Sequence, residues 1–187
     1  MKILKTVTAV AISLVIFAFA AYNSPDKTIS EMVGEKENLS TLLTALKAAD
    51  LVEVLDGEGP YTVFAPVNEA FSKLPEGKLD NLLKPENKAE LFNILKYHVV
   101  SGEYYASDLK GDQMIETLEG TPIKIKSMEQ GYEESMMKEG EEMSTLKINN
   151  ANVLQADIMA SNGIVHLIDG VVMPADIELI GETLEQN

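Results

Sequence analysis

The chain is predicted to fold as an α+β domain, with helices gathered in its N-terminal half and a meander of strands in its C-terminal half. Three observations lead there. Leucine and alanine recur at helical spacing from Leu39 to Leu95, interrupted by one β-favouring run. Beyond residue 96 the apolar residues come instead in short extended runs separated by turn residues. The length of 187 residues, 45% apolar and 24% charged, provides for one core and is too short for two ordinary domains.

The first segment stands apart from the domain. Lys2 and Lys5 precede an apolar run over residues 7–19, and Ala18-Phe19-Ala20 has the small-x-small pattern that signal peptidase reads. Residues 1–20 are therefore expected to be a cleaved signal peptide. The run is shorter than the ~20 residues that span a bilayer, so no membrane span is expected after cleavage. Removal takes two lysines and no acids, moving the net charge from -15 to -17. A short tether over 21–27, a single domain over 28–176 and a tail over 177–187 complete the expected organisation.

Within the domain, Leu39, Leu42, Leu43 and Leu46, with Ala45 and Ala49, form an amphipathic helix that Ser40 or Thr41 is placed to cap. Gly57 and Gly59-Pro60 break it, and Tyr61-Thr62-Val63-Phe64-Ala65, ended by Pro66, reads as a buried strand. Asn68 is placed to cap a short helix through Phe71 and Leu74. Pro85 suits a first helical turn, opening a helix with either Ala89, Phe92 and Leu95 or Leu91, Ile94 and Leu95 inward. Extended runs follow at Tyr97-His98-Val99-Val100 and at residues 114–118, 122–126, 146–148, 152–158 and 164–168. Asn162-Gly163 is the strongest hairpin signal, because a mirror-image turn needs positive φ at both central residues. Phe64, Phe71, Leu95, Val99, Ile164 and Leu167 are expected in the core.

Residues 127–144 fit neither period. Six glutamates face one lysine there, among Met128, Met136, Met137 and Met143. The segment is read as an acidic, Met-rich loop insertion.

Composition excludes several functions. The chain has no cysteine, so thiolate metal sites, disulfides and thiol catalysis are out. All 15 basic residues are lysine; without the arginine fork and at this negative charge, no nucleic-acid partner is expected. No nucleophile elbow, phosphate loop, His-Glu-x-x-His or calcium-loop motif occurs, so no enzyme activity and no cofactor are expected. His98 and His166 lie on apolar runs, where a buried imidazole satisfied by backbone groups is the ordinary case. Asp157 and Asp169 flank the last hairpin; a catalytic carboxylate pair is the sharp reading, and strand-end aspartates accepting backbone hydrogen bonds are the bland one. Tyr104-Tyr105 is a candidate aromatic contact for a polysaccharide or protein, set against one ring in the core and one over an edge.

At Thr62-Val63-Phe64-Ala65-Pro66-Val67-Asn68-Glu69-Ala70-Phe71 the chain closely resembles the first signature of fasciclin (FAS1) domains. The resemblance continues through Leu83-Lys84-Pro85-Glu86-Asn87-Lys88, the Tyr97-His98 pair, Asn162-Gly163-Ile164-Val165-His166-Leu167-Ile168-Asp169 and Val171-Val172-Met173-Pro174. It implies a wedge-shaped β-sandwich with a cluster of N-terminal helices, here in a small secreted single-domain bacterial type. It also implies a non-catalytic adhesion module. Asp157-Ile158 and Tyr97-His98 match the family's binding motifs, although Gln155-Ala156 departs from the glutamate-proline of one adhesive version. The expected partner is a cell-surface or matrix protein or a polysaccharide, met by a monomer in the periplasm, at the cell surface or outside the cell. The alternative is a periplasmic copper- or calcium-binding protein in which Met136, Met137 and Met143 supply soft sulfur ligands.

Overall fold

The computed structural model describes residues 26–127 and 146–174. The expected signal peptide, residues 21–25 of the expected tether, all but Ser127 of the expected insertion, and the expected C-terminal tail lie outside the described residues.

Helices do come first. The N-terminal helices are α1 (Ile29–Glu35), α2 (Ser40–Ala48) and α3 (Val52–Leu55), followed by strand β1 (Tyr61–Pro66). Then come α4 (Asn68–Ser72), α5 (Lys78–Leu82) and α6 (Lys88–Tyr97). The strands β2 (Val99–Ser101), β3 (Asp112–Glu116), β4 (Pro122–Ser127), β5 (Leu146–Ile148), β6 (Ala151–Ala160) and β7 (Gly163–Ile168) complete the chain. They form one seven-stranded sheet in the order β2-β1-β7-β6-β5-β4-β3. Its two ends approach through an antiparallel bridge between Val100 and Thr117, so the sheet rolls into a nearly closed sandwich. The fold is α+β, with every pair of neighbouring strands antiparallel except β1 and β7.

That parallel pair lies at the centre. All of β7 and all of β1 beyond Tyr61 are buried, the continuous apolar reading that strands covered on both faces require. Val63, Ala65, Val165 and Leu167 face a core made with the helices. Phe64 and Ile168 face the other way, into a second core with Ile115, Ile123, Ile125 and Ile148. All six expected core residues, Phe64, Phe71, Leu95, Val99, Ile164 and Leu167, are buried. In α6 the inward set is Leu91, Ile94 and Leu95, joined by Tyr97.

Three local readings are corrected. Neither Ser40 nor Thr41 caps α2 through its side chain. Instead Asn68 reaches across: its Oδ1 accepts the Thr41 N–H at 3.0 Å, and its Nδ2 donates to the Glu37 carbonyl at 3.0 Å. Asn68 is thus the first residue of α4 and its side chain serves another helix, where the N-terminal N–H groups need an acceptor. Tyr97 ends α6 and His98 is its C-cap, so this pair belongs to the helix end and the strand starts at Val99.

The last hairpin also differs. Ala160 pairs with Gly163, which makes Ser161-Asn162 the loop. Asn162 does not take positive φ; among the described non-glycine residues only Asp50, Asn149 and Asp157 do. Asn162 instead staples the N-terminal segment, its Oδ1 accepting the Ile29 N–H at 3.0 Å and its Nδ2 donating to the Leu55 and Gly57 carbonyls at 2.7 and 3.0 Å. Glycine follows for a steric reason, since a Cβ on Gly163 would stand 1.9 Å from the Tyr61 carbonyl oxygen.

Candidate functional site

The candidate binding residues separate into an inner pair and an outer pair. Tyr97 is 0% exposed and His98 2% exposed. The Tyr97 hydroxyl donates to the Pro122 carbonyl at 3.2 Å and accepts from Asn149 Nδ2 at 3.0 Å. His98 Nδ1 donates to the Ile94 carbonyl at 2.8 Å, which leaves Nε2 to accept the Val172 N–H at 3.1 Å. Burial of the ring lowers its pKa to about 4, outweighing the hydrogen bond to Ile94. Both side chains hold the molecule together from inside, and the folded surface does not present them.

Asp157 and Ile158 lie on β6, where the strand is irregular. Register with β7 shifts twice, between Val153 and Gln155 and between Gln155 and Ile158. Asp157 takes φ of 57°, a left-handed conformation that aspartate tolerates better than most residues. These bulges re-aim the side chains. Asp157 is exposed and Ile158 half-buried, packed on the helical core. On either side Leu154 and Met159 are 51% and 53% exposed, two of the four large apolar side chains in the open among the described residues. The pairing of β5 with β6 reaches only Asn152, so from Leu154 onward β6 has β7 on one side and no described strand on the other.

His166 ties this stretch to its surroundings. Its Nδ1 accepts the Asp157 N–H at 3.3 Å, its Nε2 donates to the Tyr104 carbonyl at 2.8 Å, and its ring stacks on Phe64 with centroids 5.6 Å apart. Burial lowers its pKa against the opposing influence of the Tyr104 carbonyl and the Asp157 charge. The Asp157 carboxylate accepts the Ala106 N–H at 2.8 Å. Tyr104 and Tyr105 are both half-buried and lie on a connecting segment, not a strand, so the alternation argument does not apply to them. The backbone of the Tyr104 segment is held by Thr62, whose hydroxyl accepts the Tyr104 N–H at 2.9 Å.

The two aspartates do not form a pair. Asp169 sits beside Asn152 and accepts its N–H at 2.7 Å, and Asp157 is five residues further along β6, about 15 Å away at strand rise. Burial alone would raise the Asp169 pKa; hydrogen bonds from the Asn152 side chain and N–H and the charge of Lys73, 3.1 Å away, bring it below the usual carboxylate value. Among the described residues no three His, Asp or Glu side chains gather as a metal site. The methionines of the alternative reading, Met136, Met137 and Met143, lie outside the described residues. An open depression of about 430 Å³ borders Pro75, Gly77, Asn81 and Lys84. No helix among the described residues is long and apolar enough to cross a membrane.

Asn149 was missed in the sequence. Its Oδ1 accepts the Lys124 N–H at 2.9 Å while its Nδ2 meets Tyr97, so it locks β4 to the helix end. The Asn149-Asn150 pair between two strand runs was the available signal.

The candidate residues thus divide between internally satisfied positions at the end of α6 and a partly exposed, bulged stretch of β6. Residues 37–174 match the fasciclin domain, and the chain belongs to that family. It is 44% identical over 147 residues to Protein sll1483 of Synechocystis sp., covering 79% of this chain and 73% of that one. To periostin of Homo sapiens it is 31% identical over 160 residues, 83% of this chain and 17% of periostin. A solved FAS1 domain pair from the insect cell adhesion molecule Fasciclin I superposes with a TM-score of 0.64 at 20% identity, covering 82% of this chain and 53% of that one. That likeness shows the shared fold.

Proposed function

We propose that this protein is a secreted or surface-associated fasciclin module that mediates adhesion or binds an extracellular matrix component, without catalysis. One observation carries the reading: the stretch of β6 beyond Asn152, paired among the described residues with β7 alone, exposes Leu154 and Met159 on either side of Asp157 and Ile158. Exposed apolar side chains around a polar group suit a protein or polysaccharide surface better than a small molecule. Fasciclin I, whose FAS1 pair shares this fold, is a cell adhesion molecule, which is in keeping with the same reading. Tyr97 and His98 contribute by holding the scaffold, since they are buried.

The test is binding of the exported protein to cells and to extracellular polysaccharide, comparing wild type with Asp157→Asn and Met159→Lys. Saturable binding weakened about tenfold or more by Met159→Lys, in a variant that melts like wild type, is the expected result. Binding by neither surface, or unchanged binding by both variants, would sink the proposal.

A further inference from the structure

We propose that His166 is the positioning residue of the β6 strip and makes its presentation depend on pH, an inference that rests on the interaction reading above. The ring lies where β1, β6, β7 and the segment carrying Tyr104 converge. Its tautomer is fixed by its partners: the Tyr104 carbonyl can only accept, so Nε2 bears the proton, and the Asp157 N–H can only donate, so Nδ1 is bare. A second proton has one place to go, Nδ1, where it would oppose the Asp157 N–H donor to donor. That N–H belongs to the residue of β6 that has left strand conformation, with φ of 57°.

The consequence extends to both sides of the strip. The Tyr104 carbonyl, the Ala106 N–H, the Asp157 carboxylate and the Asp157 N–H form a closed circuit around the imidazole. Protonation breaks one link and frees the bulge from its anchor on β7. The charged and titratable groups around the ring are few. Asp157 on β6 acts on it and favours the proton; β1 brings only Tyr61 at its start, β7 brings none besides His166, and the Tyr104 segment brings the half-buried Tyr104 and Tyr105 with the exposed Glu103 and Asp108. Burial opposes protonation and keeps the ring neutral near pH 7. At neutral pH the strip is held; on acidification it loosens while the core strands remain paired.

The experiment is an NMR titration of the 15N-labelled exported chain from about pH 7.5 to about pH 4, following ring nitrogens and amides together. His98 provides an internal control, because its reporter is the Val172 N–H. The Asp157 amide is expected to shift with the titration of His166 Nδ1, and its exchange protection, corrected for intrinsic rate, to fall about tenfold more than that of the Val63 amide, which follows the stability of the whole fold. In His166→Gln, which carries no titrating ring, that pH dependence should vanish. An Asp157 amide indifferent to the His166 titration, or one that loses protection only together with Val63, would overturn the proposal. Neither readout needs a partner, so failure to bind any surface would count against the interaction reading and leave the positioning role to stand on its own data.

Discussion

Asn162 concentrates three backbone partners in one side chain: the Ile29 N–H and the Leu55 and Gly57 carbonyls. Asn162→Ala leaves all three to find new partners at about 1 kcal/mol each, so a loss of about 2 to 4 kcal/mol is expected in urea unfolding. Asn162→Val should be no milder, for the same reason and not because of backbone φ. The sequence signal was correct in residue and wrong in mechanism: Asn-Gly does mark the hairpin, yet a local turn rule cannot see a partner 133 positions earlier in the chain. The two histidines give a pH dependence with a definite sign. Both have lowered pKa values in the folded state, so below the ordinary value of 6.5 the unfolded chain takes up protons that the native one does not. Stability is therefore full above about pH 6.5 and lost as pH falls toward 4, by an amount of order 3 kcal/mol for His98 alone. Melting temperatures measured across that window check it; a flat profile in wild type, matching that of His98→Gln, would contradict it.

At the scale of elements, the strands were legible because each run alternates or is uniformly apolar between turn residues, and β5 was placed with its observed limits, Leu146–Ile148. Three short helices carry no period to read, and α3, four residues long, is the shortest of them. Helix α1 is only seven residues long and carries a capping box, Thr28 with Glu31, whose Thr-x-x-Glu spacing was available in the sequence. Helix α5 has five residues behind a left-handed Gly77, too few for a period to show. The β4–β5 connection yields a prediction of its own. Ser127 and Leu146 are direct neighbours in the ladder, so a two-residue Asn-Gly turn in place of residues 128–145 would close the hairpin. Shortening the loop should favour folding by about 1 to 2 kcal/mol of closure entropy, and adhesion should survive it. Loss of adhesion together with loss of a saturable Cu(I) or calcium site would favour the metal-binding alternative instead.

Across the whole molecule, β1 and β7 divide two cores, and Phe64 links β1 to the candidate site: its N–H donates to the His98 carbonyl at 2.9 Å and its ring lies against His166. Phe64→Ala should cost about 3 to 5 kcal/mol, a large share of a small domain's stability, visible as a lowered melting temperature. The chain carries a net charge of -15, so attraction to an anionic surface should strengthen as salt screens repulsion, or require divalent cations. Motif order made the family legible, while the site was legible only in part. Burial of Tyr97 and His98 follows from their place at the end of α6, a tertiary fact that adjacent motif residues do not reveal. The proposed contact surface is β6. Hydrogen exchange on the exported protein, free and bound to the cell-surface or polysaccharide preparation it recognises, tests this most directly. Added protection is expected at residues 154–159 and beside them at residues 104–106; protection confined to the helical end around α5, with β6 unchanged, would contradict a contact surface on β6.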